Sequence, residues 1–349
     1  QLTVQKLNNI KEKLMLNGKT ILITGGTGSF GKRFVERLLD NYDCEKIIIY
    51  SRDELKQFEM REELASHKKF KCLRFFIGDI RDKSRLMTAL NNVDYVIHSA
   101  ALKQIDTAEI NPHECIKTNI VGTQNLIEAC IEKNVKRVVA LSTDKAVDPI
   151  NLYGATKLAA DKLMISANLI SVHKDTIFSV VRYGNVINSR GSVIPFFKKL
   201  INQKAQHIPL TDKRMTRFFI TLDESVEFVI KSFERMQGGE IFIPKLPSIK
   251  IIDIIKALDE NYKIKIVGIR PGEKIHEVLC PVSTAHLTLD FKDHLILLPT
   301  VDLNKNYLVN KKKEKGKLVK ESFIYSSDKN QKFLNIKEIK EIINRNDPL

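Results

Sequence analysis

Short apolar runs alternate with longer amphipathic stretches through the first half of the chain. Lys19–Thr24, Lys46–Tyr50, Leu73–Gly78, Val93–His98 and Arg137–Leu141 are apolar and rich in β-branched residues, as buried strands are. Between them apolar positions recur at helical spacing, as in Phe34, Val35, Leu38 and Leu39. Strand and helix alternate in this way up to about Arg182. The series predicts an α/β fold, a doubly wound parallel sheet of Rossmann type with helices on both faces. Past Tyr183-Gly184-Asn185 the regularity weakens. A helix is expected to start at Pro195, a strand at Met215–Ile220, a helix from Asp223 and another over Ile249–Leu258. Ile269–Lys274 reads as a charged loop and Phe323–Ser327 as a returning strand. The expected layout is an extension over 1–18, a Rossmann domain over 19–185 to which about 211–230 returns, a smaller discontinuous α/β domain over 186–330, and a tail or helix over 331–349.

At 349 residues, 43% hydrophobic and 28% charged, the chain has enough apolar material for about two globular domains. No apolar run approaches the roughly 20 residues of a membrane span. The polar, lysine-rich start, Gln1–Asn17, lacks a signal core, so a cytoplasmic protein without membrane contact is expected. Five cysteines without C-x-x-C spacing predict reduced thiols, and eight scattered histidines predict no metal. The formal charge of +15 points to anionic partners. The densest cluster, Lys311, Lys312, Lys313, Lys315 and Lys317, has no interleaved aromatic residue for base stacking. It reads as a solvated loop, which favours phosphorylated small molecules over nucleic acid.

Gly25, Gly28 and Gly31, with Thr27, Ser29 and Phe30 between them, lie where the first strand turns into a helix. Such a loop lets backbone N–H groups and a helix N-terminus approach a pyrophosphate. An acidic residue ending the second strand would favour NAD. Here Ser51 and Arg52 come first, with Asp53 and Lys56 beyond, so the 2′-phosphate of NADP is the expected ligand. Asp79, with Ile80, closes the third strand and either contacts adenine or caps a helix. Ser99 and Ala100 are small enough for a dinucleotide to lie against. Lys103 reaches toward a phosphate or ribose. His98 is expected to be a packed strand-end histidine, and Asn119 a brace or a cofactor contact.

The stretch Leu141–Lys157 carries the candidate chemistry. Tyr153 and Lys157 are four apart and share a helix face. An ammonium beside a phenol lowers its pKa from about 10 and makes it a general base. Ser142, Thr143, Asp144 and Lys145 stand at a strand end, where ligands dock in such sheets. Arg190, Arg217 and Arg270 are candidates for a diphosphate, since guanidinium matches phosphate bidentately.

The glycine loop, the Tyr153/Lys157 pair and the small residues after His98 resemble the extended short-chain dehydrogenase/reductases. Tyr50–Lys56, Ala100–Lys103, Ser142–Ala146, Tyr153–Lys157, Arg182–Asn185, Met215–Phe218 and Ile269–Lys274 resemble the inverting UDP-N-acetylglucosamine 4,6-dehydratases within them. In that resemblance Asp144-Lys145 separates the chain from epimerases, which lack the pair, and from retaining dehydratases, which carry Asp-Glu. It implies a tightly bound, recycled NADP held also by Glu54, Leu55 and Leu141. It implies a UDP-sugar held by Lys103, Asn185, Arg190, Val193, Thr211, Arg217, Arg270, Glu273 and Tyr325, a homo-oligomer, and a place in pseudaminic acid synthesis for flagellin. The implied reaction is oxidation at carbon 4 by way of Tyr153 with Thr143, loss of water through Lys145 as base and Asp144 as acid, and reduction at carbon 6. A lysine of pKa about 10.4 is neutral only about once in 2,500 at pH 7, so Lys145 is expected to have a lowered pKa, from burial and from Lys157, and to titrate together with Asp144. The rival readings are a UDP-sugar 4-epimerase or retaining dehydratase, and a non-catalytic NADP-binding regulatory module.

Overall fold

Five apolar runs in the first half of the chain become strands, four of them largely buried and the third, at the sheet edge, partly exposed. They are β1 (Thr20–Thr24), β2 (Lys46–Ser51), β3 (Leu73–Ile77), β4 (Tyr95–His98) and β5 (Arg137–Thr143). The computed structural model describes residues 15–171, 175–187, 189, 191–301 and 303–345. With β6 (Ile177–Tyr183) and β10 (Ile241–Pro244) these strands form a parallel array in the order β3-β2-β1-β4-β5-β6-β10. The chain winds outward from β1 and then restarts at β4. The ends of β1 and β4 therefore part and leave a crevice.

The sheet does not stop at β10, as a purely parallel array would. β15 (His294–Leu297), β14 (Thr288–Asp290) and β16 (Lys317–Leu318) add an antiparallel edge. The sequence reading placed these residues in the smaller domain. Leu289, Leu295 and Ile296 are buried, and the edge of the main sheet is what shields them. The Lys311–Lys317 loop is also not simply solvated. Its Glu314 accepts from Arg235 Nε at 2.9 Å, and its Lys312 pairs with Glu234.

Helix α1 (Ser29–Asn41) follows the glycine loop with no side-chain cap at Gly28, and its first residues, Ser29, Phe30 and Gly31, line the crevice. α2 (Glu54–Leu64) and α3 (Lys83–Ala89) are capped by Asp53 and Asp82. Between β4 and β5 the chain forms α4 (Ile105–Ile110), α5 (Pro112–Ile116), a π-helical turn over Lys117–Val121 and α6 (Gly122–Glu132). α7 (Leu152–Ile170) begins at Asn151, whose side chain accepts from the Gly154 N–H at 2.8 Å.

A second apolar cluster sits over the strand ends. It gathers Phe197 from α8 (Val193–Asn202), Leu210 from β8 (Ile208–Leu210), Phe219 from β9 (Thr216–Ile220), and Ile254 from α10 (Ile251–Leu258). The C-terminal α11 (Ile336–Arg345) packs on it through Ile339 and Ile343. α9 (Leu222–Arg235) lies between β9 and β10 and returns to the main sheet beside α1, where Arg33 pairs with Asp223 at 2.6 Å and Arg37 with Glu227 at 2.8 Å. No helix among the described residues is long and apolar enough to cross a membrane.

Candidate active site

The crevice between β1 and β4 is a cavity of about 1070 Å³. Gly25, Thr27, Gly28, Ser29, Phe30 and Gly31 line one wall, and Ser99 and Ala100 the facing one. Gly25 has φ +66, and a Cβ on it would lie 2.9 Å from the Ala100 backbone. A Cβ on Gly31 would lie 2.6 Å from Gly26. Bare backbone facing a helix N-terminus is a cradle for a diphosphate, so the residues present fit a dinucleotide.

At the far end Ser51, Arg52, Asp53, Lys56, Asp79 and Ile80 line the cavity, while Glu54 and Leu55 do not, and Leu55 is exposed. Asp53 is committed to capping α2 and to Lys56 at 2.5 Å. Arg52 lies 3.6 Å from Asp79, which also holds Arg81. Two cations thus stand at this end, each beside a carboxylate. Gln57, which sequence reasoning missed, donates to the Ser51 carbonyl, the Ser51 hydroxyl and the Phe76 carbonyl, fixing the strand end.

Asn119 is not placed against the cavity. Its side chain accepts from Leu102 N at 2.8 Å and donates to the Leu102 carbonyl and Thr156, tying the loop after β4 to α7. It is a brace, and the cofactor contact expected of it is corrected accordingly. Its neighbour Thr118, which no sequence signal marked, lines the cavity with a buried hydroxyl that has no partner. His98 is packed between Thr24 at 2.8 Å and Thr123 at 3.1 Å, and burial pushes its pKa down to about 3.

β5 runs on to Thr143, which puts Thr143, Asp144 and Lys145 at the crevice. Thr143 donates to Asp144 Oδ1 at 3.0 Å, and Lys145 Nζ donates to the same oxygen at 3.0 Å. Asp144 is fully buried and its Oδ2 has no partner. Tyr153 lines the same space. Lys157 Nζ donates to the Leu141 carbonyl at 2.7 Å.

Two electrostatic expectations need correction. The Tyr153 phenol is pushed up to about 12, because burial outweighs the downward pull of Lys145 and Thr143. The cation acting on it is Lys145 rather than Lys157, whose own pKa burial lowers against the pull of Asp161. Lys145 itself is raised, not lowered. Burial and Arg217 pull it down, but the carboxylates of Asp144 and Glu277 prevail.

A second cavity of about 560 Å³ adjoins the first and shares Lys145, Asn185, Arg270 and Glu273 with it. Val193, Thr211 and Arg217 line it as well, while Lys103 lines the first cavity. Thr211 donates to Glu273 at 3.1 Å, and Arg270 lies 3.7 Å from the same carboxylate, half exposed at the mouth. Arg217 is occupied: its guanidinium donates to the carbonyls of Thr216, Lys274 and Ile275. It holds the charged loop in place and is not free to grip a phosphate as expected. Tyr325 is also elsewhere, with its hydroxyl between Leu246 N and O and its ring on Phe218. Arg190 lies outside the described residues. Glu277, another residue sequence reasoning missed, is buried in the second cavity's wall, 3.5 Å from Lys145.

Residues 21–299 match the model of a family described as polysaccharide biosynthesis protein. The chain is 56% identical over 333 residues to the UDP-N-acetylglucosamine 4,6-dehydratase (inverting) of Campylobacter jejuni, covering 95% of this chain and 98% of that one. It is 40% identical to the UDP-glucose 4-epimerase of Rickettsia canadensis, over 94% and 96% of the two chains. Among solved structures, Pen from Bacillus thuringiensis superposes with a TM-score of 0.85 at 36% identity, over 95% and 98%. With that identity over nearly its whole length, on this fold and with these residues at the strand ends, the chain belongs to the inverting UDP-N-acetylglucosamine 4,6-dehydratases, lyases of the short-chain dehydrogenase/reductase superfamily.

Proposed function

We propose that the protein converts UDP-N-acetylglucosamine to the 4-keto-6-deoxy sugar nucleotide of L configuration. The observation that carries this reading is the Thr143–Asp144–Lys145 constellation where the two cavities meet, with Tyr153 lining the same space. When bound, a nicotinamide dinucleotide supplies the electron acceptor for oxidation at carbon 4 and the donor for reduction at carbon 6. Tyr153 takes the proton of the sugar 4-hydroxyl, which Thr143 orients, once its own proton has gone to solvent. Burial opposes that loss, and Lys145 beside it and the positive charge of a bound oxidised nicotinamide would favour it. The ketone so formed acidifies the carbon-5 hydrogen. Asp144 and Lys145 share a hydrogen bond of 3.0 Å, and one proton crossing it turns the ion pair into an amine and a carboxylic acid together. Lys145 then takes the carbon-5 proton, Asp144 protonates the departing 6-hydroxyl, and water leaves. Solvent water gives a proton to carbon 5 on the opposite face and takes back the one left on Tyr153, which closes the proton count and gives the inverted product.

Arg52 and Lys56 favour NADP as the dinucleotide, since both are cations at the adenosine end. The family resemblance and the absence of a crossing helix among the described residues support a cytoplasmic homo-oligomer opening pseudaminic acid synthesis for flagellin glycosylation. The 40% identity to an epimerase favours a second reading, inversion of carbon 4 alone. NMR of the product from UDP-N-acetylglucosamine separates them. A carbon-6 methyl beside a carbon-4 ketone is expected, and UDP-N-acetylgalactosamine as the sole product overturns the dehydration.

A further inference from the structure

We propose that Glu277 is a positioning residue for the dehydration, holding the Lys145 amine at its side of the sugar cavity and stabilising the ammonium formed when that amine takes the carbon-5 proton. The inference rests on the dehydratase reading above. Glu277 is 2% exposed; its Oε1 lies 3.5 Å from Lys145 Nζ and 3.8 Å from Arg217 Nε, and its Oε2 is buried with no hydrogen-bond partner. A buried carboxylate oxygen without a hydrogen-bond partner is costly, and the two cations beside Oε1 offset only part of that cost. The side chain is not needed to hold its own strand. The Glu277 N–H donates to the Ser327 hydroxyl at 2.9 Å, and its carbonyl accepts from Ser327 N at 2.8 Å. Arg217 likewise is fixed by three carbonyls without it.

The charged and titratable groups around Lys145 come from five elements. Asp144 comes from the end of β5, Arg217 from β9, Tyr153 from α7, Lys103 from the loop after β4, and Glu277 from the start of β13 (Val278–Cys280). His276, beside Glu277, is turned to the Thr216 hydroxyl at 2.8 Å. The proton count closes around Glu277 without consuming it. Lys145 gives one proton to Asp144, Asp144 gives it to the leaving hydroxyl, and Lys145 regains one from carbon 5. While both Lys145 and Asp144 are neutral, Glu277 is the remaining anion beside the amine. It draws the new positive charge onto nitrogen as the carbon–hydrogen bond breaks.

The test compares wild type with Glu277→Gln and Glu277→Asp in product NMR, kcat and KM across pH, and dinucleotide affinity. Glu277→Gln is expected to lower kcat about 100-fold with KM within about twofold. Because the carboxylate favours the ammonium, its loss moves the acid limb of the kcat profile about one pH unit lower. Glu277→Asp is expected to recover about tenfold of the rate. As a readout independent of turnover, reductive ¹³C-methylation of lysines, with the Lys145 signal identified by its loss in Lys145→Met, should show that amine titrating lower in Glu277→Gln. An unmoved acid limb, or an unmoved Lys145 signal, overturns the proposal, whether or not the rate falls. Should Glu277→Gln fail to fold, the same two readings on Glu277→Asp decide, with a smaller shift in the same direction expected. Wild type that forms no 4-keto-6-deoxy product refutes the dehydratase reading itself. Wild type that forms it while Glu277→Gln matches it in rate and pH profile refutes only the role of Glu277.

Discussion

The two cavities are built by opposite means. The dinucleotide side is made of backbone: glycines, a helix start and parallel strand ends that follow one another within the first hundred residues. The sugar side is made of side chains drawn from α8, β8, β9 and the 270–277 loop, which are remote from β5 in sequence. The first can be altered only by adding atoms where none fit. The second can be retuned by a single charge. Proteins named as dehydratases and as epimerases are both among those the chain resembles over nearly its whole length.

That contrast can be broken in four places. The largest effect is expected from Lys145→Met, with kcat falling about 10⁴-fold and dinucleotide affinity unchanged in a fluorescence titration. Solvent deuterium entering carbon 5 at the native rate in this variant contradicts its role as base. Next comes Gly25→Val, whose branched Cβ meets Ala100 at a φ of +66. Dinucleotide affinity is expected to drop about 300-fold while circular dichroism stays native; a native affinity means the loop is not the cradle. Arg52→Ala should erase about a thirtyfold preference for the 2′-phosphate and leave the KM for the sugar nucleotide alone. A preference that survives assigns it to Lys56.

The smallest effect is a matter of pH. His98 is held near 3 when folded and returns to about 6.5 when unfolded, so the unfolded chain binds the extra proton between those values. Its contribution is complete above about pH 6.5 and is lost as the pH falls toward 3. At pH 5.5 the loss is about 1.4 kcal/mol relative to pH 7 and above. Urea midpoints at pH 7 and 5.5 should converge in His98→Gln, and an unchanged gap assigns the acid sensitivity to other groups.

Much of the dinucleotide side was legible because its signals are local. Strand, glycine loop and helix occupy adjacent positions, and Tyr153 and Lys157 need only a helix to face one way. The parts that escaped are set by distant pairings. Glu277 looks like any surface glutamate in a charged loop; it is buried because its backbone bonds Ser327, fifty residues on. Arg217 read as a phosphate ligand since nothing nearby predicted three carbonyls around its guanidinium. Tyr325 was misplaced because its partner, Leu246, is 79 residues away. Lys145 was expected to shed its proton easily, which overlooked a second carboxylate that no spacing rule could place.

The return of α9 to the flank of α1 has a consequence for anyone dissecting the chain. Phe228, Val229 and Phe233 bury themselves in the same core as the early strands, and Arg33 and Arg37 find their anions on that later helix. A fragment ending at residue 185 would leave a raw hydrophobic seam, Arg37 widowed and Arg33 with Glu36 alone, beside the very loop meant to be studied. The halves share a wall, and truncation at the apparent boundary would demolish it.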